Sequence, residues 1–234
     1  MAKILLIETA TEVCSAAIAV DGELVAIAED LQQPNHAARL TLLIDACTRE
    51  SGISLAALDA VAVSRGPGSY TSLRVGASVA KGICYALDKP LIAVDTLQAL
   101  AHSALSRGLG TLLLPMLDAR RQEVWLAVYD NRLREILPPQ PLILEHNLFV
   151  NFLKTALAVE PADAFVLSGN GVKKINNDLI AENMVVSPVQ HCSARLLAPL
   201  AEQFFQNSDF QEVAYFEPFY MKPPNITTPN KPLF

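Results

Sequence analysis

The sequence predicts an α/β protein built from two similar halves, each with the element order βββαβαβα. Short apolar runs of strand length alternate with longer segments in which apolar residues recur at helical spacing. The order of elements in the first half recurs in the second, and residues 4–10 (ILLIETA) align by eye with residues 113–119 (LLPMLDA). This repetition indicates an internal duplication.

The first half opens with three strands, the last two joined at Asp21-Gly22, which is a strong hairpin signal. Asn35 is predicted to cap the first helix. The apolar stripe of that helix consists of His36, Leu40, Leu43, Ile44 and Cys47. The predicted elements are strands 4–8, 14–20 and 24–29, a helix from 35 to about 49, strand 60–63, helix 71–87, strand 91–94 and a helix from 96 to about 107.

The second half has the same order, with less regular strands. Its predicted elements are strands 112–117 and 124–129, a third strand within 133–144, helix 147–157, strand 165–167, a weak helix to 180, strand 185–189 and a helix from 193 to about 206. We predict domains 1–108 and 109–222, with the last helix packing back on the first half. The tail 223–234 contains four prolines and is expected to lack regular structure.

A glycine-rich turn follows the predicted strand 60–63. Its residues are Gly66, Pro67, Gly68, Ser69 and Thr71. The glycines permit positive φ and proline fixes φ, so a tight turn with outward-facing backbone N–H groups is expected, with Ser69 or Thr71 capping the next helix. An ordinary strand-to-helix turn with a tight packing contact and a ligand-binding turn are both compatible with this spacing.

The helix after this turn has small residues, Gly76 and Ala80, in a stripe that also contains Val79, Ile83 and Leu87. Because glycine weakens a helix by about 1 kcal/mol relative to alanine, we expect Gly76 to permit the close approach of another backbone. Nucleotide motifs do not fit, since Thr71 stands where a dinucleotide fingerprint needs glycine and the Gly-Lys-Ser/Thr triplet of a P-loop is missing.

Composition indicates a globular cytoplasmic protein that does not interact with membranes. The chain has 234 residues, of which 51% are hydrophobic, and a formal net charge of −6. An acidic chain does not hold nucleic acid by itself, because that affinity comes from lysine and arginine. The basic pairs 120–121 and 173–174 are interpreted as solvated loop charges. The four cysteines are far apart in apolar sequence, which favours buried free thiols over a zinc site or disulfides.

Two such halves side by side describe the actin-like (ASKHA, or ribonuclease H-like) architecture of sugar kinases, heat-shock ATPases and actin, in which the opening hairpins face a nucleotide in a cleft. The corresponding turns here are 8–11 and 118–121. Neither has the Asp-x-Gly that lets a backbone close on phosphate, and two arginines add bulk. A degraded nucleotide cleft is therefore expected.

Four features carry a resemblance to a known family: Gly-Pro-Gly-Ser-Tyr-Thr at 66–71 with Leu73-Arg74, Ile-Glu-Thr-Ala-Thr-Glu-Val-Cys-Ser at 7–15, His36, and Asp-Ala-Arg-Arg-Gln-Glu-Val at 118–124. Together they resemble the TsaB (YeaZ) family, the non-catalytic subunits of the bacterial machinery that places threonylcarbamoyl on adenosine 37 of tRNA. The likeness extends to about Lys222. Ser72 departs from the family's usual glycine and Glu8 from its usual aspartate.

The resemblance implies a scaffold that binds and activates a TsaD-like catalytic subunit, with a TsaE-like ATPase as a further partner. It implies a homodimer in isolation, displaced by the catalytic subunit, and contact with tRNA only through the complex. No catalytic residue, metal or cofactor is predicted for the chain itself. A nucleotide shared at the partner interface is left open.

The alternative is an enzyme in its own right on the same fold, a small-molecule kinase or a glycoprotease-like metallopeptidase. The catalytic paralogue holds its metal with a His-x-x-x-His pair, which this chain lacks. The residues four positions after its histidines are Leu40, Ser106, Val150 and Arg195. The Gly-x-Ser-x-Gly elbow of serine hydrolases is also missing. These absences favour the scaffold.

The partner surface is predicted on the two helices at about 35–50 and 71–87, because the resemblance implies that such helices pair with the matching helices of the catalytic subunit. Leu42 lies outside the apolar stripe of its helix, and Tyr85 lies on the polar side of the second helix. The predicted contact residues are Leu42, Ala46, Arg74, Ser78, Lys81 and Tyr85.

Overall fold

The protein has ten strands and five α-helices within the part of the chain that the computed structural model describes, residues 1–31, 35–105, 110–176, 180 and 182–222. The elements of the first half are β1 (Lys3–Glu8), β2 (Cys14–Val20), β3 (Glu23–Asp30), α1 (His36–Ser51), β4 (Ala60–Gly66), α2 (Tyr70–Leu87), β5 (Leu91–Asp95) and α3 (Thr96–Ser103). Those of the second half are β6 (Thr111–Asp118), β7 (Glu123–Tyr129), β8 (Glu135–Ile143), α4 (His146–Val159), β9 (Ala164–Ser168), β10 (Met184–Val186) and α5 (Ala198–Gln206).

The strands form two five-stranded sheets with the same topology. Their orders are β3-β2-β1-β4-β5 and, read in the equivalent direction, β8-β7-β6-β9-β10. In both sheets the first three strands of the half pair antiparallel in sequence order. The fourth strand of the half pairs parallel with the first, and the fifth pairs parallel with the fourth. The predicted α/β ASKHA fold with two similar halves is confirmed.

Helix α1 follows the local signals in its sequence. The Asn35 side chain accepts a hydrogen bond from the amide of Ala38, which satisfies one of the free donors of the first turn. Its buried residues are His36, Leu40, Leu43, Ile44 and Cys47, the stripe predicted from the spacing. Gly52 ends the helix at a φ of 69°, a left-handed conformation that glycine adopts without steric cost.

Helices cover both faces of the first sheet. Alternate residues of β1 point to opposite faces, so Leu5 and Ile7 pack with α1 and α2, whereas Ile4 and Leu6 pack against α5 and the turn before it. Helix α5 therefore packs on the first sheet although it lies near the end of the chain. Helix α3 packs on the second sheet, with Leu97 and Leu100 in the same cluster as residues of β6 and β7.

Three elements of the second half differ from the prediction. Where the weak helix is expected before 180, the described residues include a 3₁₀ helix, Asn170–Lys174, and the last helix begins as a 3₁₀ turn, Ala194–Leu197. The strand expected at 185–189 is Met184–Val186, because Pro188 cannot donate to a ladder. The predicted end of the third helix near 107, the boundary at 108–109 and the tail 223–234 lie outside the described residues.

No described helix combines the length and the hydrophobicity needed to cross a bilayer. All four cysteines are free and buried, as the sequence predicts.

Candidate functional site

The glycine turn packs against the turn between β1 and β2. The Gly66-Pro67 peptide bond is cis, and Gly66 has a φ of 111°. The amide of Ser69 donates to the carbonyl of Ala10 at 2.7 Å, and a Cβ added at Gly68 would lie 2.4 Å from that carbonyl oxygen. Gly68 is therefore required by the close approach of two backbones.

The predicted capping of α2 by a side chain of the turn is wrong. Ser69 occupies the N-cap position, but its side chain accepts no hydrogen bond from the helix amides. The Ser69 hydroxyl accepts instead from the hydroxyl of Ser72 at 3.0 Å. Thr71 lies exposed within the first turn of the helix. Ser72 stands where the family usually has glycine, and it therefore engages the Ser69 hydroxyl that would otherwise cap α2.

Glu8 anchors the β1–β2 turn from inside the protein. Its side chain is 1% exposed, and one carboxylate oxygen accepts from the amide of Ala10 at 2.6 Å and from the hydroxyl of Ser64 at 2.8 Å. Burial raises the pKa of Glu8 from 4.5 to about 7, and these hydrogen bonds only partly oppose the shift. Sequence reasoning noted Glu8 as a departure from aspartate but missed this structural role.

Gly76 contacts the same turn from α2. A Cβ added there would lie 2.4 Å from Oγ1 of Thr9, which is fully buried. The close approach predicted for Gly76 is confirmed, but the neighbour is a side chain, where a backbone was expected. The buried face of α2 consists of Leu73, Gly76, Ala77, Ala80 and Cys84, and the predicted stripe members Val79, Ile83 and Leu87 are only partly buried.

We expect Gly76→Ala to destabilise the protein, because Thr9 is short and branched and cannot move aside cheaply. Overpacking of this kind costs about 1–3 kcal/mol, against a helix-propensity gain of up to about 1 kcal/mol. Gly82 is the matched control in the same helix, since an added Cβ there meets nothing within 4 Å. Gly82→Ala should stabilise by up to about 1 kcal/mol.

Urea unfolding of both variants measures the difference. Adding Thr9→Ala to Gly76→Ala should recover part of the loss, because the clashing oxygen is removed. Equal unfolding midpoints for Gly76→Ala and Gly82→Ala would contradict the proposed contact.

The second half has an equivalent pair of closely packed glycines after β9. A Cβ added at Gly169, whose φ is 88°, would lie 2.3 Å from the carbonyl oxygen of Met116, and one at Gly171 would lie 2.9 Å from the carbonyl carbon of the same residue. Asn170, between these glycines, accepts from the amide of Asp118 at 2.9 Å and donates to Glu12 at 3.0 Å. This last hydrogen bond joins the two halves.

A cleft of about 800 Å³ separates these two turns. Its walls come from the β1–β2 turn, the start of α2, the β6–β7 turn and the segment that contains Tyr220, Met221 and Lys222. Arg120 lines the cleft and has a φ of 69°. It lies in the β6–β7 turn, which lacks the Asp-x-Gly sequence of a phosphate-binding turn. The degraded nucleotide site stays a prediction.

Candidate metal ligands are not gathered in the cleft. His36 is 5% exposed at the first position of α1 and lines the cleft. Its Nε2 lacks a hydrogen-bond partner among the described residues. Within the same described part of the chain, no three His, Cys, Asp or Glu side chains are close enough to hold a metal ion together.

Four of the six predicted partner residues, Leu42, Ala46, Ser78 and Tyr85, are exposed on α1 and α2. Leu42 is 56% exposed and Tyr85 is 87% exposed, and Ala46 and Ser78 are also exposed. Both helices contribute to one core cluster beneath these residues. The two helices therefore present large apolar side chains to solvent on adjacent elements.

Arg74 and Lys81 contact the protein's own C-terminal segment, which the sequence did not predict. The Lys81 ammonium donates to the carbonyls of Ala214 and Phe216 at 3.0 and 3.1 Å. The Arg74 Nε donates to the Tyr220 hydroxyl at 3.2 Å, and the guanidinium lies 4.3 Å from the Tyr70 ring centroid. These two residues are at least partly used for intramolecular contacts.

Comparison with known proteins identifies the family. Residues 27–227 match the family model described as TsaD, tRNA N6-adenosine threonylcarbamoyltransferase. The tRNA threonylcarbamoyladenosine biosynthesis protein TsaB of Haemophilus influenzae is 38% identical over 124 residues, 53% of this chain and 52% of that protein. Its namesake from Escherichia coli is 39% identical over 128 residues, 55% of each chain. The chain thus spans about half the length of these curated relatives.

A solved structure extends the likeness over nearly the whole chain. YeaZ from Pseudomonas aeruginosa superposes with a TM-score of 0.76 at 26% identity, covering 94% of this chain and all of that one. The part of the chain that matches the family model, residues 27–227, includes the glycine turn at 66–71 and the turn at 118–121. The chain belongs to the TsaB/YeaZ family.

Proposed function

We propose that the protein is a non-catalytic subunit that binds and activates a TsaD-like catalytic subunit in the cytoplasm. Together with a TsaE-like ATPase, this complex would carry out threonylcarbamoylation of adenosine 37 in tRNA. The observation that carries the proposal is the pair of exposed apolar side chains, Leu42 and Tyr85, on the packed helices α1 and α2. Large apolar and aromatic side chains of this kind are typical anchors of protein interfaces.

The net charge and the sequence pattern support the assignment of tRNA binding and catalysis to the partner subunit. A net charge of −6 leaves the chain poorly suited to bind tRNA alone, so the nucleic acid would be held by the partner. The missing His-x-x-x-His pair and serine elbow supply no residues for independent hydrolytic chemistry. The proposal assigns the chain no cofactor of its own; a nucleotide, where one takes part, would lie at the interface with the catalytic subunit.

Reconstitution distinguishes this scaffold from an enzyme in its own right. Threonylcarbamoyl-adenylate and tRNA are incubated with the TsaD-like and TsaE-like proteins, with and without this chain, and modified adenosine is measured by mass spectrometry of digested tRNA. We expect product only in the complete mixture and none with this chain alone. Equal product with and without the chain would contradict the scaffold role, and product from the chain alone would establish an enzyme.

A further inference from the structure

The last described residues of the chain cross from one half to the other at the cleft. The amide of Phe219 donates to the carbonyl of Arg65 at 2.6 Å, at the end of β4. The next residue, Tyr220, has its ring 4.6 Å from the ring of Tyr70, and its hydroxyl accepts from Arg74. This end of the segment is held on the first half by a backbone hydrogen bond, a ring contact and a cation.

Two residues later the chain is held on the second half. The Lys222 ammonium pairs with the carboxylate of Glu123, the first residue of β7. Only Met221 separates the two anchors, and two residues span at most about 7 Å of extended chain. Tyr220, Met221 and Lys222 all line the cleft. The distance between the halves at this point is therefore limited by a very short connection.

We propose that residues 219–222 form a latch that sets the width of the cleft between the two halves. The Lys222–Glu123 pair is its weaker anchor, because the side chains are 41% and 22% exposed and solvent screens the attraction between them. A latch of this strength can open at modest cost. Its opening would widen access to the start of α2 and to the β6–β7 turn, and would change the size of ligand that the cleft admits.

Hydrogen–deuterium exchange on the full chain tests the latch, read on peptides that cover the two cleft-lining turns, 69–72 and 118–121. Lys222→Glu places two negative charges together, and we expect exchange there to become about five- to tenfold faster. Lys222→Met should give an acceleration of about two- to threefold. Lys222→Arg keeps the charge and should behave as wild type. Lys154→Glu on α4 is the matched control for net charge.

A second variant tests the other anchor. Tyr220→Ala should accelerate exchange in the same two turns, and combining it with Lys222→Glu should add little, because both changes break one connection. Raised salt should shrink the difference between Lys222→Glu and wild type. The latch is refuted if Lys222→Glu matches Lys154→Glu in both turns, or if the two anchors act independently.

Discussion

Replacing Glu8 with glutamine is expected to stabilise the protein at pH 8 by roughly 3 kcal/mol and to leave its stability at pH 4 nearly unchanged. Glu8 is buried, and its pKa is raised from 4.5 to about 7. A shift of about 2.5 pKa units corresponds to about 3 kcal/mol. Glutamine removes the charge while keeping an oxygen that can accept from Ala10 and Ser64.

The sign of the pH dependence of stability follows from the folded state, which holds the Glu8 proton more tightly than the unfolded chain does. Between pH 4.5 and 7 the unfolded chain has lost the Glu8 proton while the folded chain still keeps it, so stability falls as pH rises through this window. Above pH 7 the folded protein carries a buried carboxylate and the full loss is present. The Glu8→Gln variant lacks this pH dependence, so its stability difference from wild type should grow between pH 4.5 and 7 and level off above pH 7.

Urea unfolding followed by circular dichroism from pH 4 to pH 8 measures this difference, at low protein concentration because the pI is near 5.2. Glu50→Gln, which removes an exposed carboxylate of α1, is the control and should stay within about 0.5 kcal/mol of wild type. A constant difference between Glu8→Gln and wild type over this pH range would show that Glu8 does not titrate as inferred.

Local signals explain what the sequence predicted well. The cap at Asn35 and the apolar period of α1 act within one element, and the structure reproduces both. The strand order of each half also follows from local pattern, since hairpin-connected strands pair antiparallel and strands joined through helices pair parallel. Repetition of one pattern in both halves strengthened each prediction.

Long-range contacts explain what the sequence did not predict. Arg74 and Tyr220 are 146 residues apart, so the cover of α2 by the C-terminal segment leaves no local trace. The buried face of α2 was misplaced because it packs on the β1–β2 turn, where Thr9 requires glycine rather than a large apolar residue. Helix α3 packs on the sheet of the opposite half, which helical period alone does not indicate.

The exposed pair on α1 and α2 gives the largest expected effect on association. Leu42→Asp combined with Tyr85→Asp places two carboxylates where the proposed function buries apolar surface. Burying unpaired charges costs several kcal/mol. We therefore expect the homodimer that the resemblance implies and the proposed complex with the TsaD-like subunit both to weaken by about 3 kcal/mol or more, at least about a hundredfold in Kd. Arg74 and Lys81 are left unchanged, since the C-terminal segment engages them.

Sedimentation velocity of the free chain and of its mixture with the catalytic subunit measures both associations. Leu148→Asp with Val159→Asp on α4 is the matched control, because these side chains are 43% and 57% exposed and lie on the second half. The fold of both double variants should be intact, since exposed substitutions usually change stability by less than about 0.5 kcal/mol each. Wild-type association by the Leu42 and Tyr85 variant, with loss in the α4 variant, would move the interface to the second half. Because Leu42 and Tyr85 are exposed in the monomer, a selective loss of association would arise at the interface itself and locate the partner surface on α1 and α2.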